Sequence, residues 1–291
     1  MHDVLTDLLK QTPVILDGAW GTQLQARGLP PGECTDGWNL SHPGEVESVA
    51  REYVEAGSQI ILTNTFGASR LMLNGHGLGD KAAEINRRGA EISKRAAGGR
   101  AKVFASMGPS GKLIMMGQTT EDELLEVFRE QAAALAEGGA DGLVIETMSD
   151  PQEAAIAVRA AKETGLPVAG CMVFDTGKNK DRTMMGTTPE QAAEALAEAG
   201  ADIIGSNCGQ GVSGFVAICQ RLKAACGKPI WIKANAGIPE VVDGQVVYHT
   251  TPGEFASYAP QLKEAGASFL GGCCGTTPEF IRVLKQTVDS L

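Results

Sequence analysis

Three cysteines carry the most specific chemistry in this sequence. Cys273 and Cys274 are adjacent in Gly271-Gly272-Cys273-Cys274-Gly275-Thr276-Thr277-Pro278, and Cys208 follows Ser206-Asn207 at the end of an earlier apolar segment. Neighbouring cysteines do not readily bond each other, because their Cβ atoms point apart and the ring would be strained. The N-terminus, Met1-His2-Asp3-Val4-Leu5-Thr6-Asp7, has neither a basic n-region nor an apolar h-region. A secretion signal is therefore not expected, the cytoplasm is the expected compartment, and disulfides have little reason to form. Three thiolates converging at strand ends are a good ligand set for zinc. A structural zinc is closed by four protein ligands, whereas a catalytic zinc keeps one position open. Cys34 in a long loop, Cys171 inside a strand, and Cys219 and Cys226 on a helix are expected to be small buried or surface residues rather than a fourth ligand. An anionic trithiolate site generates hydroxide poorly. It suits one further thiol, which zinc deprotonates. The chemistry implied is attack by a substrate thiolate on an electrophilic carbon, with Cys208, Cys273 and Cys274 as candidate catalytic and metal-binding residues.

Something must bring these cysteines together, and an internal repeat supplies it. Glu55-Ala-Gly-Ser-Gln-Ile-Ile-Leu-Thr-Asn64 recurs as Glu137-Gly-Gly-Ala-Asp-Gly-Leu-Val-Ile-Glu146, as Glu198-Ala-Gly-Ala-Asp-Ile-Ile-Gly-Ser-Asn207 and as Glu264-Ala-Gly-Ala-Ser-Phe-Leu-Gly-Gly-Cys273. Each copy follows a stretch of helical periodicity, places Gly57, Gly139, Gly200 or Gly266 where a left-handed C-terminal cap belongs, and runs into a short apolar strand. Further strands are predicted at 14–16, 102–106, 167–173 and 229–233. Helices are predicted over 121–137, 151–163, 189–199 and 253–265, many of them opened by a capping residue and proline, such as Asp150-Pro151 and Thr188-Pro189. Continuous apolar strands suit a parallel sheet covered by helices. Eight strands alternating strictly with eight helices predict one α/β domain over residues 1–291, a single (β/α)8 barrel. An open doubly wound sheet is the alternative.

In such a barrel the chemistry lies at the C-terminal ends of the strands. Those ends are Asp17, Asn64 and Thr65, Glu146 and Thr147, Asn207 and Cys208, Asn235, and Cys273 and Cys274. Asn64, Glu146, Asn207 and Cys273 each lie seven residues after a capping glycine, so they should share one height on alternate strands. Two carboxylates beside the site, Asp17 and Glu146, suit an ammonium group. A cap or ion-pair role is the alternative for them. Asn64 and Thr147 join them as candidate substrate-binding residues.

The segments Asp17-Gly18-Ala19-Trp20-Gly21-Thr22, Thr63-Asn64-Thr65-Phe66-Gly67-Ala68, Glu146-Thr147, Asn207-Cys208 and Gly271-Gly272-Cys273-Cys274-Gly275 resemble the homocysteine S-methyltransferase family, in order and over nearly the whole chain. The resemblance is closest to the homocysteine-binding module of the cobalamin-dependent methionine synthases. It implies a barrel with Zn2+ on Cys208, Cys273 and Cys274, homocysteine as acceptor, and its amino group held by Asp17 and Glu146. It also implies that Asn235, in Ala234-Asn235-Ala236-Gly237, occupies zinc until the substrate thiol displaces it. Those synthases continue into folate- and cobalamin-binding regions that this sequence lacks. The expected methyl donor is therefore a methylcobalamin carried by a separate corrinoid protein. A small sulfonium or ammonium donor, S-methylmethionine or betaine, is the alternative, as is a different thiol acceptor.

Other features are expected to be decoys. Gly209-Gln210-Gly211-Val212-Ser213-Gly214 matches a dinucleotide fingerprint, but the next strand ends in Lys233-Ala234-Asn235 with no acid for a ribose. His76 lies in a pattern similar to a cobalamin-ligating one but in the wrong context, and is expected to be a loop histidine. A zinc hydrolase would favour histidine ligands, and a redox or zinc-storage protein would need no substrate site. With 25 basic and 35 acidic residues the net charge is −10, which disfavours nucleic acid and anionic membrane surfaces as partners. There is no apolar run long enough for a transmembrane helix.

Overall fold

The computed structural model describes residues 2–242 and 245–291. Ten strands occur among them: β1 Val14–Ile15, β2 Ile60–Ile61, β3 Lys102–Met107, β4 Gly142–Met148, β5 Val168–Met172, β6 Ile203–Gly211, β7 Ile230–Asn235, β8 Glu240–Val242, β9 Gln245–Val247 and β10 Ala267–Gly272. Eight form one parallel sheet in the order β1-β10-β7-β6-β5-β4-β3-β2. Gln59 closes it into a barrel. Its backbone N–H donates to Ile15 O at 2.7 Å, and its side-chain Oε1 accepts from Ile15 N at 2.9 Å.

The repeat explains itself in these contacts. Gly57, Gly139, Gly200 and Gly266 have φ of 101°, 89°, 98° and 100°, the left-handed cap that only glycine adopts freely. The polar residue two positions later then ties off the start of a neighbouring strand. Asp141 Oδ2 accepts from Val103 N at 2.8 Å and Asp202 Oδ2 from Val168 N at 2.9 Å, as Gln59 does for β1. Ser268 Oγ stands at 3.4 Å from Ile230 N in the fourth copy. Each repeat therefore turns the chain, satisfies a buried donor and fixes register at once.

The barrel interior is packed, not open. Trp231 lies between Phe104 and Phe269, with ring centroids 5.9 and 5.4 Å away. Leu5, from the N-terminal helix Asp3–Leu8, joins the same buried cluster. Full burial of each such side chain contributes about 1.5–3 kcal/mol. Trp231 is thus a core residue.

Two expectations change. The helix predicted over 253–265 is two helices, Pro252–Ala256 and Ala259–Glu264. Pro260 lacks an N–H and disfavours a helical residue before it, so a continuous helix cannot pass. Strict alternation also fails after β7, where the antiparallel pair β8–β9 is inserted. No helix of the described residues is long and apolar enough to cross a membrane.

Candidate metal centre and substrate cavity

A cavity of about 590 Å³ opens at the C-terminal ends of the strands. Asn64, Glu146, Thr147, Cys208, Cys273 and Cys274 line it. The equal offsets from the four capping glycines thus converge on one place.

The Sγ atoms of Cys208, Cys273 and Cys274 all lie within 4.8 Å of one another, with Cys208 and Cys274 3.9 Å apart. Hydrogen bonds from the Cys273 and Cys274 thiols hold the Cys208 thiol far below its ordinary range, helped by the Gly209 N–H and the Asn235 side chain. The same contacts raise Cys273 and Cys274. Three sulfurs this close are the donor set of a soft divalent cation. Asn235 is 5% exposed, and its Oδ1 is buried with no hydrogen-bond partner. An orphaned buried acceptor on a side chain that reaches Cys208 costs free energy unless something fills the gap. The residues present therefore fit a metal ion.

Backbone strain sits at the same place. Thr147 and Cys208 both have φ of 61°, in the left-handed region that disfavours residues with a Cβ. At Cys208 this coincides with a register break between β6 and β7 after Asn207. The break turns the Cys208 sulfur toward Cys274, and Gly209, with φ of 77°, serves that turn. Asn207, the residue before Cys208, braces Thr147. Its Oδ1 accepts from Thr147 N at 2.7 Å, and its Nδ2 donates to Thr147 Oγ1 at 2.7 Å and approaches Glu146 Oε2 at 3.3 Å.

Glu146 also accepts a hydrogen bond from Ser106 Oγ. Burial pushes its carboxyl above the usual range, opposed by Lys233. Asp17 is placed differently from Glu146. It is fully buried behind the cavity wall, in an ion pair with Lys233. Its Oδ2 accepts from Leu62 N at 2.7 Å and Trp20 Nε1 at 2.8 Å. Lys233 itself lines the cavity. Asn64 faces the cavity but spends its amide N–H groups on Thr35 O at 2.8 Å and Asn39 Oδ1 at 3.1 Å. It straps the first long loop to the end of β2.

Sequence reasoning gave no role to Lys233, Ser106 or Tyr248, and placed Asn207 at the mouth without assigning it one. Lys233 had a signal: a lone charge inside the apolar run of β7. Tyr248 had none. It enters from the segment after β9 and packs on Gly275, where a Cβ would lie 2.3 Å from the ring. Burial and the three cysteines push its phenol up to about 12. The remaining cysteines behave as expected: Cys171 and Cys219 are buried, and burial raises both thiols. His76 is a loop residue at the outer cavity.

Known proteins share this frame. The chain is 31% identical to a methionine synthase of Mycobacterium tuberculosis over 306 residues, covering 99% of the chain and 25% of that protein. It is 32% identical over 311 residues to the methionine synthase of Mycobacterium leprae. The chain thus spans about a quarter of the length of these curated relatives. Crystal structures of the homocysteine methyltransferase MmuM from Escherichia coli, metallated and oxidised, superpose with TM-scores of 0.81 and 0.82 at 24% and 23% identity. The metallated one covers 98% of both chains and shares the TIM-barrel fold. Residues 14–288 match the profile described as homocysteine S-methyltransferase, so that β1 and the last cysteine pair fall within one continuous match, and the chain belongs to that family.

Proposed function

We propose that this chain methylates the thiol of homocysteine to give methionine, with a zinc ion held by Cys208, Cys273 and Cys274. The observation that carries this reading is the convergence of three sulfurs within 4.8 Å of one another in a cavity that also presents Glu146. A bound zinc would supply acidification of the substrate thiol while leaving its sulfur nucleophilic. The protein's own residues orient the acceptor. Glu146 receives the ammonium group, with Asp17 adding negative charge from behind the wall. Ser106 and Asn207 fix the rotamer of Glu146, and Thr147 completes the rim. Asn235, with its unpartnered buried Oδ1, would supply an oxygen ligand to that ion in the absence of substrate.

The donor is a methyl-corrinoid borne by a partner. Among the described residues, the exposed large apolar side chains other than the C-terminal Leu291, namely Phe66, Met115, Met116, Met184, Ile238, Val241 and Val246, all lie on the segments that follow β2, β3, β5 and β7, at the cavity's end of the barrel. Such a crown around an entrance fits a protein partner that covers it, and flexible methionines fit an adaptable contact. The relatives in which this barrel is one quarter of the chain fit the same arrangement.

Calorimetry tests the acceptor. Zinc-loaded protein should bind homocysteine with release of the thiol proton, and chelation of the metal should abolish binding. Unchanged affinity in metal-free protein would remove the metal from the acceptor site.

A further inference from the structure

Lys233 is a fully buried cation with a single counter-ion and open donors. Its side chain is 2% exposed and pairs with Asp17, which is 0% exposed. An ammonium carries three N–H donors. Among the described residues Asp17 is its one hydrogen-bond partner. Asp17 in turn is held on Oδ2 by Leu62 N and Trp20 Nε1, so it cannot swing to meet more of the lysine. Alternation along β7 gives the reason Lys233 reaches this place. Trp231, Lys233 and Asn235 share the inward face, in rising layers from core to mouth. Lys233 therefore forms the floor of the cavity, one layer below the cysteines. Leaving two donors of a buried ammonium unfilled is costly, unless the cavity's occupant accepts them.

We infer that Lys233 binds the carboxylate of the amino-acid substrate, so that Lys233 and Glu146 together read the zwitterion. This rests on the homocysteine reading above and deepens it. Two carboxylates, Glu146 in the cavity and Asp17 behind its wall, stand against one lysine. An ammonium placed on Glu146 and a carboxylate placed on Lys233 give every charge an opposite neighbour. Selectivity follows: thiols lacking the carboxylate forfeit the lysine contact and leave the floor donors unfilled.

The test compares two thiols on zinc-loaded protein by calorimetry, homocysteine and its decarboxylated analogue 3-aminopropane-1-thiol. Wild-type protein should prefer homocysteine by about 10- to 150-fold, the worth of one charge-assisted hydrogen bond. Lys233→Met should lose that preference while keeping its affinity for the analogue. If Lys233 merely props Asp17, both affinities fall together and the preference persists, which overturns the inference. Should Lys233→Met fold poorly, Lys233→Met with Asp17→Asn removes both members of the ion pair, and there the preference alone is read: its loss supports the inference and its persistence overturns it. If wild-type protein binds neither thiol, it is the acceptor reading that fails, and the two failures are thereby distinct.

Discussion

At the residue scale, the chemistry depends on the three sulfurs and their surroundings. Two strained residues and one bracing asparagine bring them together. Cys208→Ser, Cys273→Ser and Cys274→Ser should each lose most of the bound zinc, because a hard oxygen replaces a soft thiolate. The barrel should stay folded, since its core lies a layer below. Metal analysis of purified variants against one zinc per wild-type chain checks this, and full retention after Cys208→Ser would remove that residue from the site. Glu146 is open to the cavity and Asp17 is not, so their variants should differ. Glu146→Gln should weaken homocysteine binding by about 1.5–3 kcal/mol, the scale of a charge-assisted hydrogen bond. It should leave the melting temperature nearly unchanged. Asp17→Asn should instead cost stability, because it strands the buried Lys233. Unchanged homocysteine affinity in Glu146→Gln would place the amino group elsewhere.

At the element scale, the barrel and the heights of its strand ends were legible because the repeat encodes them. A glycine cap, a polar residue that ties off a neighbouring strand and a strand end seven residues on recur with fixed spacing, and spacing survives in sequence. What was not legible came from contacts with no period. Tyr248 reaches Gly275 from the β8–β9 insertion, and the ion pair of Asp17 with Lys233 spans strands that are not neighbours. The split of the 253–265 helix is legible at Pro260, whose missing N–H and restricted preceding residue break a segment of otherwise helical periodicity. The first long loop offers a test of its own. Asp36 is buried at the cavity edge, where Oδ1 accepts from Gly67 N at 3.0 Å, and burial pushes its carboxyl up to about 6. A raised carboxyl gives stability that is full below the ordinary carboxyl range and is lost as pH rises through about 6. Asp36→Asn keeps an acceptor for Gly67 and has no charge to bury. The variant should therefore be more stable than wild type at pH 8, by up to about 2–3 kcal/mol. The gap should close toward pH 4. Parallel urea denaturation curves with the same gap at both pH values would rule out this role for Asp36.

At the scale of the whole molecule, the proposed reaction requires a methyl group to reach a sulfur inside a walled cavity. In-line displacement needs the donor carbon within about 3–3.5 Å of the sulfur, so the donor must enter through the mouth or be pressed onto it. The segments that follow β2, β3, β5 and β7 carry a ring of exposed apolar side chains at the mouth's end of the barrel, Phe66 among them lining the cavity, while the opposite end is closed by the helix Asp3–Leu8. A large donor presented by a protein would use that ring, and a small donor would not. Methyl transfer to homocysteine should therefore proceed with methylcobalamin and be slow or absent with S-methylmethionine, betaine or methyltetrahydrofolate supplied alone. Charge substitutions on the ring, Met115→Glu with Val241→Glu, should leave homocysteine affinity intact. They should slow transfer from a protein-borne corrinoid at least about 10-fold, the effect of about 1.4 kcal/mol lost from a buried contact. Efficient turnover with S-methylmethionine and none with methylcobalamin would overturn the corrinoid donor. In that case the 590 Å³ cavity would hold both acceptor and donor, and the ring substitutions would have no effect on rate.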